Sequence, residues 1–256
     1  MLWQIEDSNT YVLGSVHLSN IPQLQLPDIA ERAFAEAKCV ILEADQKVQP
    51  DPRLFMMPPG KQLDSSVSTE LFRRVREHWL RLGLPEANLL TLSPIMVGTT
   101  LQIAESARNR YVAEFGVDTV LRDRAEKAGK EIRYLEQLND QLRMLVGIPL
   151  TEQISYLSHI ASQDDVGLAE VAGMISAWLD NDIQYFEMLL QARVEDWPVL
   201  VDDVLTKRNI NWVPQIVELA KGSNHNLVVV GALHLVGETG LPALFRQHGL
   251  ALIATR

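Results

Sequence analysis

The feature that most constrains this chain is a run of apolar residues that ends at a glycine and leads into a histidine. Residues 227–230 read Leu-Val-Val-Val between Asn226 and Gly231. The run is too short for a core helix and is rich in β-branched residues, so it predicts a strand buried on both faces. His234 follows Gly231 closely. Because ligands of open α/β sheets bind beyond the carboxyl ends of the strands, this histidine is a candidate site residue.

The same pattern occurs near the amino terminus. Residues 10–17 read Thr-Tyr-Val-Leu-Gly-Ser-Val-His, again an apolar run, a glycine, two residues and a histidine. A single Gly-x-x-His sequence arises easily by chance, and a histidine after a strand is often structural. Two such elements after buried strands favour a shared site that contains His17 and His234. A side chain at Gly14 or Gly231 is expected to crowd the approach of a ligand to the backbone.

Two further predicted strands each lead into a glutamate. Residues 39–42 are an apolar run before Glu43, and residues 132–135 form a short strand that ends at Glu136. If the four strands are parallel neighbours, both carboxylates lie beside the two histidines at one sheet edge. Such a set suits Zn²⁺, Mn²⁺, Co²⁺ or Fe²⁺, with a spare glutamate to take a proton. A glutamate after a strand is also common as a helix cap or a solvated charge.

Helical patterns connect the predicted strands, which indicates an α/β fold. The sequence predicts a hairpin at residues 2–5 and 11–13, helices at 27–37, 70–82, 93–108 and 116–128, almost continuous helix over 138–221, and a last strand at 250–254. Apolar runs in place of alternation favour a mixed, mostly parallel sheet with helices on both faces. We expect residues 1–256 to form a single domain, with a helical insertion that covers the sheet edge, because no flexible linker interrupts the chain.

Composition excludes several classes of partner. A net charge of −10 argues against nucleic acid and anionic membranes. The longest uncharged stretch, residues 87–104, is too polar to span a membrane. Cys39 is the single cysteine, so there is no disulfide framework. The amino terminus carries no basic segment followed by an apolar one, which predicts a cytoplasmic protein, with a trimmed secreted form as the alternative.

At these motifs the chain resembles the TraB/GumN family. That family includes PrgY-like proteins and is distantly related to the Tiki metalloproteases and the erythromycin esterases. The resemblance spans almost the whole chain, and its specific part is the two Gly-x-x-His blocks. The matching segments are Leu2-Trp3, Tyr11-Val-Leu-Gly-Ser-Val-His17, Val40-Ile-Leu-Glu43, Gly116-Val-Asp118, Tyr134-Leu-Glu136 with Gln141, Arg208-Asn209 with Trp212, and Val228-Val-Val-Gly-Ala-Leu-His234-Leu-Val-Gly237.

The resemblance implies a metal-dependent hydrolase site on His17, Glu43, Glu136 and His234, with Arg208 holding substrate or developing negative charge. The main hypothesis is hydrolysis of a peptide or amide bond, with a divalent metal on both histidines and one glutamate, and the other glutamate as general base.

Two alternatives stay open at this point. The first is a protein that sequesters a hydrophobic peptide without turnover. The second is a metal-free esterase in which His17 is the general base. The sequence specifies neither the substrate, nor the metal, nor the oligomeric state.

Overall fold

A computed structural model describes residues 1–255, and a six-stranded sheet forms the centre of that part of the chain. Its strands are β1 (Leu2–Ile5), β2 (Thr10–Ser15), β3 (Cys39–Leu42), β4 (Glu131–Tyr134), β5 (Asn226–Gly231) and β6 (Leu252–Ala254). They lie side by side in the order β4-β3-β5-β2-β1-β6. The first four in that order run parallel, whereas β1 is antiparallel to both β2 and β6. The predicted mixed, mostly parallel sheet is confirmed.

The strand β5 occupies the middle of the parallel part, between β3 and β2. All six of its residues are buried. An unbroken apolar run is the pattern expected of such a strand, since neither of its faces meets water. In contrast, β4 lies at the edge and alternates between exposed and half-buried residues. It spans Glu131–Tyr134, one residue earlier than predicted, because Glu131 is its first residue to pair with β3.

Four helices follow the predicted ranges 27–37, 70–82, 93–108 and 116–128 to within one residue at each end, two short helices at 63–66 and 86–89 were not predicted, and the helical stretch 138–221 is divided into shorter helices. The helices are α1 (Asp28–Glu36), α2 (Leu63–Ser66), α3 (Thr69–Arg81), α4 (Glu86–Leu89), α5 (Pro94–Arg108), α6 (Val117–Lys127), α7 (Leu138–Gly147), α8 (Leu150–Ser162), α9 (Leu168–Leu179), α10 (Ile183–Asp196), α11 (Pro198–Val201), α12 (Lys207–Lys221) and α13 (Leu241–Gln247). A single π-helical turn, Asp202–Thr206, joins α11 to α12. Within residues 1–255, no helix is long and apolar enough to cross a membrane.

Two hydrophobic cores divide the apolar side chains. The larger core surrounds the sheet. The smaller core lies among the helices and contains Trp79 of α3, Leu101 of α5 and Leu157 of α8. Residues of α5 and α7 also line a cleft at the sheet edge, and that a helical insertion covers this edge stays a prediction. The single domain over residues 1–256 stays a prediction. Limited proteolysis tests it, and we expect no stable helical fragment to be released.

Candidate functional site

Four neighbouring strand ends carry the four side chains that the sequence singled out. In the order β4, β3, β5 and β2, the residues that follow are Glu136, Glu43, His234 and His17. Parallel strands bring their carboxyl ends to one edge, which is why residues so far apart in sequence become neighbours. The four side chains do not have equivalent surroundings. A fifth side chain, Arg208, forms hydrogen bonds with Glu136, Glu43 and His234 but not with His17.

The Arg208 guanidinium pairs with both glutamates. Its Nε donates to Glu136 Oε1 at 2.9 Å, and its Nη2 donates to Glu43 Oε2. Its Nη1 donates to the carbonyl oxygen of Val204, on the π-helical turn, at 2.9 Å. The ring of Trp212 lies 4.6 Å from the guanidinium carbon. Arg208 is thus buried, and its donors bind groups of the protein itself. These contacts do not leave it free to hold a substrate.

The two glutamates occupy different electrostatic environments. Burial opposes ionisation of Glu43, but Arg208, the two histidines and the Gly231 N–H, 2.6 Å from Oε1, together lower its pKa to about 2. Burial raises the pKa of Glu136 despite its contact with Arg208. Both Glu136 oxygens are occupied, because Trp212 Nε1 donates to Oε2 at 3.2 Å. Glu136 therefore anchors Arg208, and only Glu43 of the two lines the cleft.

His234 is a buried, neutral imidazole. Asn209 Nδ2 donates to the carbonyl oxygen of Thr239 at 2.8 Å, which identifies Asn209 Oδ1 as an acceptor. His234 Nδ1 lies 2.7 Å from that oxygen and so carries the proton. Its Nε2 faces Arg208 Nη1 at 3.3 Å and accepts from it. Burial lowers the pKa of His234 to about 3, so the ring stays uncharged at neutral pH.

His17 differs from His234 in every one of these respects. Its side chain is 59% exposed, and its Nδ1 lies 3.0 Å from Asp118 Oδ2, in the first turn of α6. The Asp118 carboxylate raises the pKa of His17 above its ordinary value. The approach of α6 is close, since a Cβ at Gly116 would lie 2.3 Å from the His17 carbonyl oxygen. Glycine is therefore required at the start of the helix that delivers Asp118.

A cleft of about 640 Å³ opens over this sheet edge. His17, Asp118 and Glu43 lie at its polar end, and α5 and α7 supply apolar wall residues such as Ile103 and Leu142. Ser15 also lines the cleft. Its Oγ is buried and has no hydrogen-bond partner among residues 1–255. The cleft therefore combines a histidine–carboxylate pair with an uncommitted hydroxyl and an apolar wall.

The two motif glycines serve different purposes. A Cβ at Gly231 would lie 3.3 Å from His17 Nε2 and 3.4 Å from Glu43 Oε1, so this glycine leaves space between the polar groups of the cleft. A Cβ at Gly14 would meet Leu235 Cδ1 at 3.0 Å and Met1 Cβ at 3.3 Å. The expected crowding of a ligand therefore applies to Gly231. At Gly14 the expectation is corrected, because the close neighbours there are the protein's own core.

The predicted metal ligands, His17, His234 and Glu43, do not fit an ion in this arrangement. Within the described part of the chain, no three His, Cys, Asp or Glu side chains are placed to hold a metal. Glu43 accepts from Gly231 with one oxygen and from Arg208 with the other. The free lone pair of His234 faces the same guanidinium. The Arg208 cation already occupies His234 Nε2 and one oxygen of Glu43, so a divalent ion on these two residues would have to displace Arg208.

Sequence reasoning assigned no definite role to several residues of this site. Asp118 and Asn209 lie in segments that resemble the family, and each orients one of the two histidines. Gln141, also in a matching segment, donates from Nε2 to Glu43 Oε2 at 3.4 Å. Ser15 lies inside the first Gly-x-x-His block. For all four residues, the sequence evidence was a position in or beside a motif. Such a position does not predict which atom the side chain contacts.

Comparison with known proteins agrees with the resemblance seen in the motifs. The YbaP proteins of Shigella flexneri and Escherichia coli (strain K12), both described as uncharacterized, are each 24% identical to this chain. The alignments cover 93% and 92% of this chain and 88% and 87% of the relatives, respectively. No solved structure matches significantly. The model of the TraB/PrgY/gumN family matches residues 1–252, and the chain belongs to that family.

Proposed function

We propose that this protein is a hydrolase of ester or amide bonds in which His17 is the general base. The observation that carries the proposal is the pairing of His17 with Asp118 in the lining of the cleft. A carboxylate on Nδ1 selects the tautomer whose lone pair is on Nε2, which is the arrangement of a histidine that accepts a proton from a nucleophile. Among residues 1–255, no other imidazole at the carboxyl ends of the parallel strands is both exposed and held by a carboxylate.

The proposed reaction uses water as the nucleophile. His17 Nε2 takes a proton from water while the water oxygen forms a bond to the substrate carbonyl carbon, whose π electrons move to oxygen. The tetrahedral intermediate then expels the alcohol or amine, which takes the proton back from the imidazolium. Asp118 stabilises the positive charge on His17 between these steps. The products are a carboxylic acid and an alcohol or amine.

Ser15 is the group that we assign to the substrate carbonyl oxygen. Ser15 lines the cleft and its buried hydroxyl has no partner in residues 1–255, and a buried hydroxyl is stabilised by accepting or donating a hydrogen bond. Ser15 pairs with Gly231 in the sheet, and His17 Nε2 lies close to the space above that glycine. A donor so placed stabilises charge that develops on the carbonyl oxygen.

Glu43, Arg208 and His234 have a positioning role in this proposal. The buried guanidinium neutralises the carboxylates that would otherwise repel a polarised carbonyl group. Gly231 and Arg208 hold Glu43 in one orientation beside the space near His17. None of the three needs to exchange a proton during turnover. The apolar walls of the cleft suit a peptide or an acylated amino acid with hydrophobic side chains.

The test is a turnover screen with N-acetyl amino-acid nitrophenyl esters and an internally quenched peptide library. We expect wild type to hydrolyse members with apolar side chains, and His17→Ala to lower kcat/KM by about 10²–10⁴-fold. His248→Ala is the matched control, because His248 is exposed at the end of α13 and lies outside the cleft. No turnover by wild type overturns the proposal. Retention of peptides without turnover would favour the sequestering alternative.

The pH dependence gives a second test of the same residue. Because Asp118 raises the pKa of His17, the unprotonated base becomes more abundant with rising pH. The value of kcat/KM should therefore increase through neutral and alkaline pH, with a midpoint above the ordinary histidine value of about 6.5. A rate that is already maximal at pH 6 would contradict general-base action by His17.

A further inference from the structure

A second cavity lies among the helices, next to the cleft. Its volume is about 200 Å³. That is below the range of about 300–1,000 Å³ that holds a whole small ligand, so it suits one side chain of a larger molecule. Apolar side chains of α5, α8 and the α11 region form most of its interior, among them Ile95, Ile160 and Leu200.

Aromatic edges form one side of this cavity. The rings of Tyr156 and Trp197 meet edge to face, with centroids 5.5 Å apart, and His159 meets Trp197 in the same way at 4.9 Å. Aromatic groups arranged in this way favour further contacts with apolar and aromatic surfaces. The charged residues at the wall neutralise each other, since Arg193 Nη2 lies 2.5 Å from a Glu170 oxygen. The cavity therefore offers apolar surface and no net charge from this pair.

The cavity and the cleft share part of their walls. Thr99 of α5, Leu145 of α7 and Val204 of the π-helical turn line both. Val204 is also the residue whose carbonyl oxygen holds Arg208. The same short turn thus fixes the polar end of the cleft and borders the second cavity. The cavity therefore adjoins the cleft at these three residues.

We propose that the second cavity is a specificity pocket for an aromatic or branched apolar side chain of the molecule that binds in the cleft. The role of the pocket in selecting a substrate rests on the proposed function. Its test measures binding alone. The pocket selects among acylated amino acids or peptides by the size of one side chain. It contributes affinity because the side chain leaves water for a preformed apolar surface.

The experiment compares two probes, N-acetyl-L-phenylalaninamide and N-acetyl-L-alaninamide, by titration calorimetry. We expect wild type to bind the phenyl probe at least about tenfold more tightly, as burial of an aromatic side chain predicts. Leu200→Trp and Gln163→Phe narrow the pocket from two sides and should weaken binding of the phenyl probe about tenfold. Neither substitution should change binding of the alanyl probe.

Val199→Trp is the matched control. Val199 precedes Leu200, is exposed and does not line the pocket, so its replacement should leave both affinities unchanged. Melting temperatures close to that of wild type confirm that the variants fold. Equal affinity of wild type for the two probes overturns the pocket, as does undiminished phenyl binding by both narrowed variants. Failure of hydrolysis in the turnover screen concerns the proposed function only, because these affinities are measured without turnover.

Discussion

Arg208 Nη1 lies 3.3 Å from His234 Nε2, so the guanidinium takes the imidazole lone pair that a metal ligand would need. The same side chain pairs with Glu43 and Glu136. Two residues that sequence reasoning assigned to separate tasks, Arg208 to the substrate and His234 to a metal, are therefore partners in one buried network. The exposed His17 is outside the direct hydrogen bonds of that network.

The two histidines should respond differently to substitution. His234→Ala leaves Asn209 Oδ1 and Arg208 Nη1 with one partner fewer in a buried place, which should cost about 1–3 kcal/mol of the free energy of unfolding. His17→Ala removes a largely exposed ring and should cost less stability, while it lowers kcat/KM by about 10²–10⁴-fold. Urea unfolding of both variants measures the contrast. Equal destabilisation would show that both residues are structural.

Asp118→Asn should lower the pKa of His17, because the charge of Asp118 is the largest cause of its elevation. A raised folded-state pKa contributes stability that is fully present below 6.5 and is lost as pH rises through about 9. The stability difference between wild type and Asp118→Asn should therefore shrink across that range. Titration of the His17 ring by NMR measures the pKa, with Asp123→Asn on the same helix as the control. An unchanged pKa would contradict the pairing.

Arg208→Gln should destabilise the protein strongly. The substitution leaves Glu43 and Glu136 buried without their cation, and breaking a buried pair in this way costs about 3–5 kcal/mol. Arg133→Gln makes the same chemical change in an exposed pair with Glu131 and should cost about 1 kcal/mol or less. Denaturant unfolding compares the two. Similar losses of unfolding free energy in both variants would show that the buried network contributes little to stability.

Addition of Zn²⁺ or Mn²⁺ to chelator-treated protein should leave the melting temperature unchanged. An ion that binds only the folded state raises stability by RT ln(1 + [L]/Kd), and Arg208 occupies His234 Nε2 and one oxygen of Glu43, which such an ion would use. The metal site predicted from sequence implies the opposite result. A rise in melting temperature together with one bound ion per chain would restore that prediction and require Arg208 to move.

Gly231→Ala should reduce turnover more than stability. The new methyl group would lie 3.3 Å from His17 Nε2 and 3.4 Å from Glu43 Oε1, inside the space assigned to the reacting groups. Gly147→Ala is the control, since a Cβ at that position meets no atom within 4 Å. Kinetics and melting temperature of both variants separate the two effects. Full activity in Gly231→Ala would place the reaction elsewhere in the cleft.

The positions of the strands along the chain were accessible to sequence reasoning because they depend on local pattern. Residues 227–230 had to be buried on both faces, and such a strand has parallel neighbours whose carboxyl ends share one edge. Glu43 and His234 were placed at that edge by this rule alone. The start of α3 at Thr69 lies one residue before the predicted position 70, and Ser68 caps it locally by accepting a hydrogen bond from the Leu71 N–H.

The partners of each site residue were decided by tertiary structure. The prefix Gly-x-x is the same for His17 and His234, yet one ring is exposed beside Asp118 and the other is buried between Asn209 and Arg208. Hydrogen-bond geometry and burial depend on where α6 and α12 pack against the sheet, which no local pattern records. Sequence thus determined which residues reach the sheet edge, whereas packing determined which charges meet there and which histidine remains open to the cleft.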